Sequence, residues 1–294
     1  MRCSEARVLL TGAGGGIGES AATLLVKSGG SVMLVGRSPA RLAAQARTLV
    51  RECNVPRLRV EWYAADLTRT SSLAGIAEVA AGWGCNVVVH GAGVPAFGRL
   101  ESIGATDMAQ VLHLNLLVPM LLTQALLPHL RSLPQAQVIC LGSVLGRLGL
   151  PGFSVYSASK FGLRGFAESL RRELGDTRVR VQYLGPRSTR TAFNSRAVQS
   201  YNESTGTVMD KPEVAARALI ELLESGAPEC FLGFPEKLAV RLNGLAPSLL
   251  DGAFDKHRRS LPPAAQPQPP NLNCNDASGT PAVDDIHSLK SSAL

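Results

Sequence analysis

The sequence predicts an α/β fold in which a doubly wound, mostly parallel sheet of seven strands is covered by helices on both faces. Short, continuous apolar runs alternate with longer segments of helical periodicity, the pattern of parallel strands joined by crossover helices. A glycine-rich turn lies directly between the first strand and the first helix. No internal repeat divides the 294 residues, which favours one main domain.

The strands and helices are predicted from these two periodicities in turn. Apolar runs predict buried strands at residues 7–11, 31–35, 58–64, 86–90, 137–141, 178–184 and 230–233. Apolar residues at helical spacing predict helices at residues 17–27, 39–51, 71–81, 106–130, 155–174 and 212–224. Because crossovers between parallel strands are right-handed, these helices are expected to cover both faces of a single sheet.

The predicted sheet domain occupies residues 1–234, and the pattern changes beyond it. We predict an amphipathic helical extension at residues 235–260, which Pro247 bends or interrupts. Its leucines at helical spacing are expected to pack on the sheet or on a partner subunit, with a membrane surface as the less favoured alternative. Residues 261–294 are rich in Pro, Asn and Ser and predict a disordered tail. The extension's leucines are Leu238, Leu242, Leu245 and Leu249.

Composition excludes several classes of protein. With 45% hydrophobic and 18% charged residues the chain is globular, and it has neither a signal-peptide pattern nor an uninterrupted apolar run of about 20 residues. The six scattered cysteines form no C-x-x-C pair, so we expect no disulfide framework, no metal site and a cytoplasmic location. The net charge of +7 lacks the Lys/Arg blocks of nucleic-acid binding. It is expected to reflect solvated helix faces, or else attraction to phosphorylated cofactors or acidic carrier proteins.

The glycine-rich turn at residues 11–18 is the first candidate binding element. Gly12 permits a tight turn, Gly16 allows a phosphate to approach closely, and Gly18 lets the helix pack on the strand. Backbone N–H groups at the helix N-terminus, including that of Ile17, can then meet a pyrophosphate. A plain tight turn is the alternative, but the position between strand and helix favours a Rossmann-type dinucleotide site.

Two later strand ends suggest which dinucleotide binds. The second strand ends at Gly36 and Arg37, without the carboxylate that binds the ribose 2′-hydroxyl of NAD. The guanidinium of Arg37 suits a 2′-phosphate, so we predict NADP(H), with a solvated loop arginine as the alternative. After the third strand, Asp66 and Leu67 are placed to meet the adenine ring. The alternative for Asp66 is capping of the next segment.

Three polar residues form the candidate reaction centre. Tyr156 and Lys160 are four residues apart on one helix and therefore share a face. The ammonium is expected to favour the phenolate and to lower the pKa of Tyr156 from about 10. Ser143 follows the fifth strand, at the carboxyl edge of the sheet where ligands bind. Each residue alone is more often structural, but their joint placement predicts catalysis.

Asn115 completes this set through its backbone. It lies within the helix predicted at residues 106–130, where asparagine is mildly unfavourable. Pro119, four residues later, has no N–H to donate to the carbonyl oxygen of Asn115. We predict that this carbonyl holds an ordered water in a kinked helix, with a kink that only improves packing as the alternative.

Together these motifs resemble the short-chain dehydrogenase/reductase family over residues 8–233. The resemblance implies that Tyr156 is the general acid/base, Ser143 holds the substrate carbonyl, Lys160 binds the nicotinamide ribose, and Asn115 positions a relay water. It also implies cofactor contacts by residues in two further loops. The matching segments are T-G-x-x-x-G-x-G at Thr11–Gly18, Asn115, Ser143 and Y-x-x-x-K at Tyr156–Lys160, and the further contacts are Gly93, Thr189 and Thr191.

Two departures from the family pattern stand out. His90 occupies the place of an asparagine after strand four, and we interpret it as a residue of the sheet end. Arg187 replaces a glycine after strand six. We weigh two hypotheses equally for Arg187: contact with a phosphate or carboxylate of the cofactor or substrate, and a side chain turned to solvent.

The resemblance implies an NADPH-dependent reductase of a ketone or aldehyde, such as a 3-oxoacyl thioester or another lipophilic ketone, either free or carrier-bound. The polar stretch at residues 193–209 occupies the family's substrate-lid position. A non-catalytic NADP(H)-sensing or scaffold protein on the same fold is the alternative. The family pairs subunits through the helices predicted at 106–130 and 155–174, so we expect a homodimer or homotetramer. No nucleic-acid partner is expected.

Overall fold

The computed structural model describes residues 1–263, with the side chain of Leu249 outside that description. Seven strands form one sheet in the order β3-β2-β1-β4-β5-β6-β7, and every adjacent pair is parallel. This confirms the predicted doubly wound α/β fold. The strands are β1 (Arg7–Thr11), β2 (Ser31–Gly36), β3 (Val60–Ala64), β4 (Val87–His90), β5 (Ala136–Leu141), β6 (Val179–Gly185) and β7 (Glu229–Phe231).

The helices cover both faces of this sheet or lie beyond its carboxyl edge. They are α1 (Gly16–Lys27), α2 (Pro39–Cys53), α3 (Thr70–Gly82), α4 (Ala105–Leu112), α5 (Val118–Ser132), α6 (Ser154–Glu173), α7 (Arg196–Thr205), α8 (Pro212–Ser225), α9 (Glu236–Leu245) and α10 (Asp255–Arg259). A π-helical turn at His113–Leu117 joins α4 to α5.

Alternate residues of the central strands point to opposite faces, as the pleat requires. In β1, Val8 and Leu10 pack in the core beneath α1, α2 and α8, whereas Leu9 packs in the core beneath α3, α5 and α6. Both faces are therefore apolar, which explains why the strands appear in the sequence as continuous apolar runs. This packing fixes the carboxyl edge of the sheet, where the candidate site lies.

One continuous helical segment, Ala105–Ser132, is long and apolar enough to cross a membrane by length and composition. Three leucines of this segment, Leu122, Leu126 and Leu130, are fully buried against the sheet.

Residues 193–209, at the predicted substrate-lid position, contain a helix that the sequence analysis did not predict. Helix α7 begins after Ser195, whose side chain accepts a hydrogen bond from the N–H of Val198 at 3.3 Å, and it ends at Gly206, which has a φ of +74°. These are ordinary start and stop signals for a helix. They were overlooked because the polar composition of residues 193–209 favoured a loop.

Of the alternatives for the C-terminal extension, packing of its leucines on the sheet was wrong, whereas packing on a partner subunit or a membrane surface stays a prediction. Helix α9 ends before Pro247, as predicted, but its leucines face outward: Leu238 is 49% exposed and Leu245 is 85% exposed. The residue that packs inward is Val240, which is 1% exposed. The predicted tail lies largely outside the described residues.

Candidate active site

A cavity of about 570 Å³ opens at the carboxyl edge of the sheet. Its floor is the glycine-rich turn, and its walls come from the loops after β4, β5 and β6, from α7, and from the C-terminal extension. The volume lies within the usual range for small-molecule sites. Gly12, Gly16, Ile17, Gly18, Gly93, Ser143, Tyr156, Lys160, Thr189 and Thr191 all line it.

The glycine-rich turn is shaped by close backbone contacts. Gly12 has a φ of +70°, and a Cβ at this position would lie 2.6 Å from the carbonyl carbon of Gly91. A Cβ on Gly18 would overlap the carbonyl oxygen of Gly12, so α1 packs tightly against the turn. A Cβ on Gly16 would lie 2.5 Å from Cγ2 of Thr191. The structure thus explains the glycines at positions 12 and 18 as predicted, and it adds a contact with the β6–α7 loop at position 16.

Helix α2 supports the same turn through two residues that the sequence analysis missed. The guanidinium of Arg41 donates to the carbonyl oxygen of Gly14 at 3.3 Å, and the amide of Gln45 donates to the carbonyl oxygen of Ala13 at 2.9 Å. Arg37, just before α2, is exposed at the end of β2. The spacing of Arg41 and Gln45 by four residues on α2 was the signal that these two side chains share one side of the helix.

Asp66 and Leu67 do not line the cavity. Asp66 caps a turn instead, because its carboxylate accepts hydrogen bonds from the N–H and hydroxyl of Thr68 at 3.0 and 2.8 Å. These hydrogen bonds hold the pKa of Asp66 below its ordinary value. The side chain of Leu67 is buried in the core. Asp66 therefore does not cap α3, which begins after Arg69 without a side-chain cap, and the Leu67 side chain has a packing role. The contact of this segment with the adenine ring stays a prediction.

Ser143 is held in place by Tyr183, a third residue that the sequence analysis missed. The phenol of Tyr183 donates to the Ser143 carbonyl oxygen at 2.8 Å and accepts from the Ser143 N–H at 3.0 Å. Gly142 and Gly146 make room for this ring, since a Cβ at either position would overlap it. The Ser143 hydroxyl accepts from the N–H of Leu145 at 3.1 Å. The glycines on either side of Ser143, at positions 142 and 146, were the signal in the sequence that a bulky side chain packs there.

The predicted direction of the Tyr156 pKa shift was wrong. Burial raises the pKa of Tyr156 above its ordinary value, and hydrogen bonding with the Ser143 side chain opposes that shift. Lys160 Nζ lies 5.7 Å from the centre of the Tyr156 ring. Burial also lowers the pKa of Lys160 to about 8. Desolvation therefore outweighs the helical pairing on which the prediction rested.

Lys160 is nonetheless oriented toward the same part of the cavity. It is 5% exposed, and its ammonium donates to the carbonyl oxygen of Leu141, at the end of β5, at 3.2 Å. A Cβ on Gly93 would lie 3.8 Å from Lys160 Nζ and 3.0 Å from Oδ1 of Asn115. There is therefore little space beside Gly93 in the loop after β4, where the side chains of Lys160 and Asn115 come together.

Asn115 is fully buried within the π-helical turn rather than in a kinked α-helix. Its side-chain amide pairs with the backbone of Val94, accepting from the N–H at 2.8 Å and donating to the carbonyl oxygen at 3.0 Å. The same amide donates to Ser159 Oγ at 3.1 Å, which in turn donates to the carbonyl oxygen of Tyr156 at 2.7 Å. Ser159, a fourth missed residue, therefore connects Asn115 to the backbone of Tyr156.

The loop after β6 approaches the glycine-rich turn through Thr191. The Thr191 hydroxyl accepts from the N–H of Phe193 at 3.3 Å. Thr189 is buried, and its hydroxyl donates to the carbonyl oxygen of Arg187 at 3.0 Å. Both threonines thus stabilise the loop internally while lining the cavity.

Arg187 lines the cavity and is not turned to solvent, so the solvent alternative was wrong, whereas contact with the cofactor or substrate stays a prediction. Its guanidinium forms a bidentate ion pair with Asp210, at 2.9 and 2.8 Å, and lies 3.4 Å from a carboxylate oxygen of Glu236 in α9. Only 16% of its side chain is exposed. The ion pair with Asp210 raises the pKa of Arg187. Arg187 is therefore neutralised by two carboxylates and links the β6–α7 loop to the C-terminal extension.

The substrate side of the cavity is mainly apolar, and an aromatic cluster closes its outer end. Tyr201 of α7 packs against Phe97 and Phe153, with ring centres 5.0 and 5.7 Å apart. Its hydroxyl lies 2.7 Å from Nδ1 of His257 in α10. Among residues 1–263, no group of three His, Cys, Asp or Glu side chains could hold a metal ion. The other apolar side chains of this wall are Leu145, Leu148, Leu150, Val198, Ala239 and Phe254.

Comparison with known proteins supports the interpretation of this geometry. Residues 6–202 match the family model described as short chain dehydrogenase. Dehydrogenase/reductase SDR family member 7B of Xenopus laevis is 29% identical over 259 residues, covering 82% of this chain and 78% of that protein.

Two solved structures share the fold. A short-chain dehydrogenase from Sphingobium yanoikuyae in complex with NADPH is 26% identical, with a TM-score of 0.71 over 85% of this chain and 96% of that one. A short-chain dehydrogenase/reductase from Burkholderia phymatum in complex with NAD is 21% identical, with a TM-score of 0.73 over 83% and 94% of the two chains. Similar folds thus bind either nicotinamide dinucleotide.

Proposed function

This chain belongs to the short-chain dehydrogenase/reductase family, and we propose that it is an NADP(H)-dependent reductase of a neutral, lipophilic ketone. The observation that supports this most directly is the convergence of Ser143, Tyr156 and Lys160 on the cavity whose floor is the glycine-rich turn. A packing or scaffolding role gives no reason for a buried lysine and a half-buried tyrosine to line that cavity.

Tyr156 is suited to donate the proton. Because burial raises its pKa, the phenol stays protonated near neutral pH and can transfer its proton to a carbonyl oxygen, which is the direction of ketone reduction. The Ser143 hydroxyl, oriented through Tyr183, is available to donate a hydrogen bond to the same oxygen. Lys160, with a pKa of about 8, is mostly charged at neutral pH and can donate to a ribose hydroxyl.

The residues present fit a nicotinamide dinucleotide. The positive φ of Gly12 and the crowding at Gly18 leave backbone, rather than side chains, facing the cavity at the N-terminus of α1, as a pyrophosphate requires. When bound, NADPH supplies a hydride to the carbonyl carbon, and the products are NADP⁺ and a secondary alcohol.

Preference for NADP(H) over NAD(H) is supported by charge near the end of β2. Arg37 is exposed there, and the guanidinium of Arg41 lies on the glycine-rich turn, so two cations are available for a 2′-phosphate. Replacing Arg37 with Ala is expected to raise the KM for NADPH by about tenfold or more and to leave that for NADH nearly unchanged. Arg51→Ala, an exposed change later on α2, is the matched control. Equal changes for the two dinucleotides would contradict the preference.

The lining favours a substrate without charge near the reacting carbon. Arg187, a cation that lines the cavity, is already neutralised by Asp210 and Glu236. A 3-oxoacyl thioester remains compatible with this lining when its acyl chain lies along the apolar wall and its carrier lies outside the cavity.

A cytoplasmic location of the protein stays a prediction from the sequence.

The test is NADPH consumption by the wild type and by Tyr156→Phe with alicyclic ketones, aldehydes and 3-oxoacyl thioesters of increasing chain length. Loss of the proton donor is expected to reduce kcat by about a hundredfold or more, with KM for NADPH little changed. Tyr63→Phe, on β3 away from the cavity, controls for loss of a phenol. Tight NADPH binding without turnover of any of these substrates would favour the sensing alternative instead.

A further inference from the structure

Helix α9 and the residue pair before it carry an unusual apolar surface. Phe234, Leu238, Leu242 and Leu245 follow one another at spacings of four, four and three residues and are 78%, 49%, 45% and 85% exposed. We call these four side chains the α9 apolar surface. Single exposed apolar residues are ordinary, but three leucines along one helix with an exposed phenylalanine just before it call for a partner.

The exposed charged side chains of α9 itself have one sign. Lys237 and Arg241 are exposed and alternate with the leucines along α9. The single acidic residue of the helix, Glu236, turns the other way and pairs with Arg187. Projecting leucine and phenylalanine side chains flanked by lysine and arginine are typical of helices that lie on anionic membranes.

The opposite side of α9 belongs to the cavity. Val240 packs against Val144, Leu145 and Leu148, and Ala239 lines the cavity itself. One helix therefore has an inner side facing the apolar wall and an outer side formed by the α9 apolar surface. Any partner bound outside is separated from the substrate side of the cavity by the width of a single helix.

We propose that the α9 apolar surface docks this protein on a lipid bilayer with anionic head groups. The four apolar side chains would enter the acyl boundary, while Lys237 and Arg241 pair with phosphate groups. A second copy of this chain fits less well, because a two-fold interface would bring the same two cations of each copy together without an acidic residue on this side of α9. Docking does not depend on the reaction proposed above.

The experiment is cosedimentation of the full chain with vesicles of phosphatidylglycerol and phosphatidylcholine, compared with vesicles of phosphatidylcholine alone. The wild type is expected to pellet with the anionic vesicles and to be released by salt. Leu242→Glu/Leu245→Glu is expected to weaken partitioning by about tenfold or more, because each leucine contributes buried apolar area. Lys237→Gln/Arg241→Gln is expected to weaken it by about fivefold per cation on anionic vesicles only.

The matched control is Leu58→Glu/Leu100→Glu, which places the same charges at leucines that are 77% and 55% exposed elsewhere on the surface. It is expected to partition like the wild type. Wild-type protein that stays in the supernatant, or equal loss in the α9 and control variants, would overturn the proposal. Sedimentation velocity without lipid gives the remaining outcome: dissociation of an oligomer by the α9 variant alone would assign this surface to self-association and overturn membrane docking. Turnover is not measured, so these results are independent of the proposed reaction.

Discussion

Ser143 owes its position to a phenol forty residues away in sequence. Tyr183 forms hydrogen bonds with both the N–H and the carbonyl oxygen of Ser143, and it fills the space left by Gly142 and Gly146. The backbone of Ser143 itself is therefore held in place by a buried side chain on β6. This makes Tyr183 a positioning residue for the proposed reaction, since its hydroxyl is occupied by Ser143.

Replacing Tyr183 with Phe should lower kcat by about tenfold, because two buried backbone groups lose their partner and Ser143 becomes less well oriented. The KM for NADPH should change little, since the glycine-rich turn is not involved. Steady-state kinetics with the best ketone measures both constants, and Tyr63→Phe again serves as the control. A rise in KM for NADPH with kcat retained would show that Tyr183 acts on the cofactor side instead.

His90 makes the fold sensitive to acid. It is fully buried at the end of β4, its Nε2 lies 2.7 Å from the hydroxyl of Thr123, and burial lowers its pKa to about 4. The folded protein therefore needs the neutral imidazole, whereas the unfolded chain binds a proton near its ordinary pKa of about 6.5. Stability is present above that value and is lost as pH falls through 6.5 toward 4.

The free energy of unfolding should thus fall between pH 7 and pH 4 by about 3 kcal/mol more in the wild type than in His90→Gln. Glutamine keeps a polar atom near Nε2 but has no titrating group. Urea unfolding of both proteins at a series of pH values measures this difference, and the contributions of all other groups cancel in the comparison. Parallel pH profiles would mean that His90 titrates normally in the folded state.

At the scale of single residues, the sequence predicted the main polar residues of the site but not the burial that shifts their pKa values. Ser143, Tyr156 and Lys160 were predicted from spacing, and they line one cavity. The pKa direction of Tyr156 was wrong because helical spacing describes only one neighbour, whereas desolvation arises from all the elements packed around the ring. Tyr183 was missed for the same reason, since its contact with Ser143 depends on how β5 and β6 pair.

At the scale of elements, Arg187 connects three parts of the chain. It follows β6, pairs with Asp210 before α8, and reaches Glu236 in the first turn of α9. A second link between the same regions is the backbone pairing of Thr189 with Asp210. The wall of the cavity formed by α9 is therefore attached to the sheet through a mostly buried ion-pair network.

Arg187→Met should lower the free energy of unfolding by about 3 kcal/mol, because it leaves two mostly buried carboxylates without their cation. It should also expose the α9 region to protease before global unfolding occurs. Urea unfolding and limited proteolysis followed by mass spectrometry measure these effects, with Arg190→Met as the control at an exposed neighbouring arginine. Unchanged stability combined with weaker NADPH binding would favour the hypothesis that Arg187 binds a phosphate.

The errors at this scale have a common physical origin. Periodicity correctly predicted an apolar stripe on α9, but a stripe does not specify whether protein, lipid or solvent covers it. The structure places Val240 rather than the leucines against the cavity wall. Helix α7 was missed although Ser195 and Gly206 mark its ends, because its capping signals were outweighed by polar composition.

At the scale of the whole molecule, alternation of strands and helices was sufficient to predict the sheet. Buried strands such as β1 and β4 are apolar on both faces, so their sequence pattern is unambiguous. Closure of the site by α7 and the extension was not predictable in the same way, because those contacts are long-range and depend on the completed sheet. Phe97 follows β4 and Tyr201 lies on α7, for example, and their rings come into contact only in the folded protein.

A second exposed apolar surface bears on assembly. Its side chains come from neighbouring elements, since a Cβ on Gly162 of α6 would lie 2.8 Å from Leu116 of the π-helical turn. Such a surface on the long helices is a candidate for subunit pairing. Its exposed members are Leu112 at 40%, Leu117 at 43%, Met120 at 37% and Phe161 at 41%.

We expect this surface to hold the chain in a homodimer or homotetramer, because pairing would bury the four side chains and the family assembles through these helices. Met120→Glu/Phe161→Glu should place unpaired charges in the interface and shift the protein to monomers, which sedimentation velocity measures directly. Val79→Glu, at a 40% exposed position on α3, is the matched control and should leave the assembly unchanged. If the wild type is a monomer at every concentration tested, these side chains are simply solvent-exposed. If only the α9 variant dissociates the assembly, the subunits pair through the C-terminal extension and not through this surface.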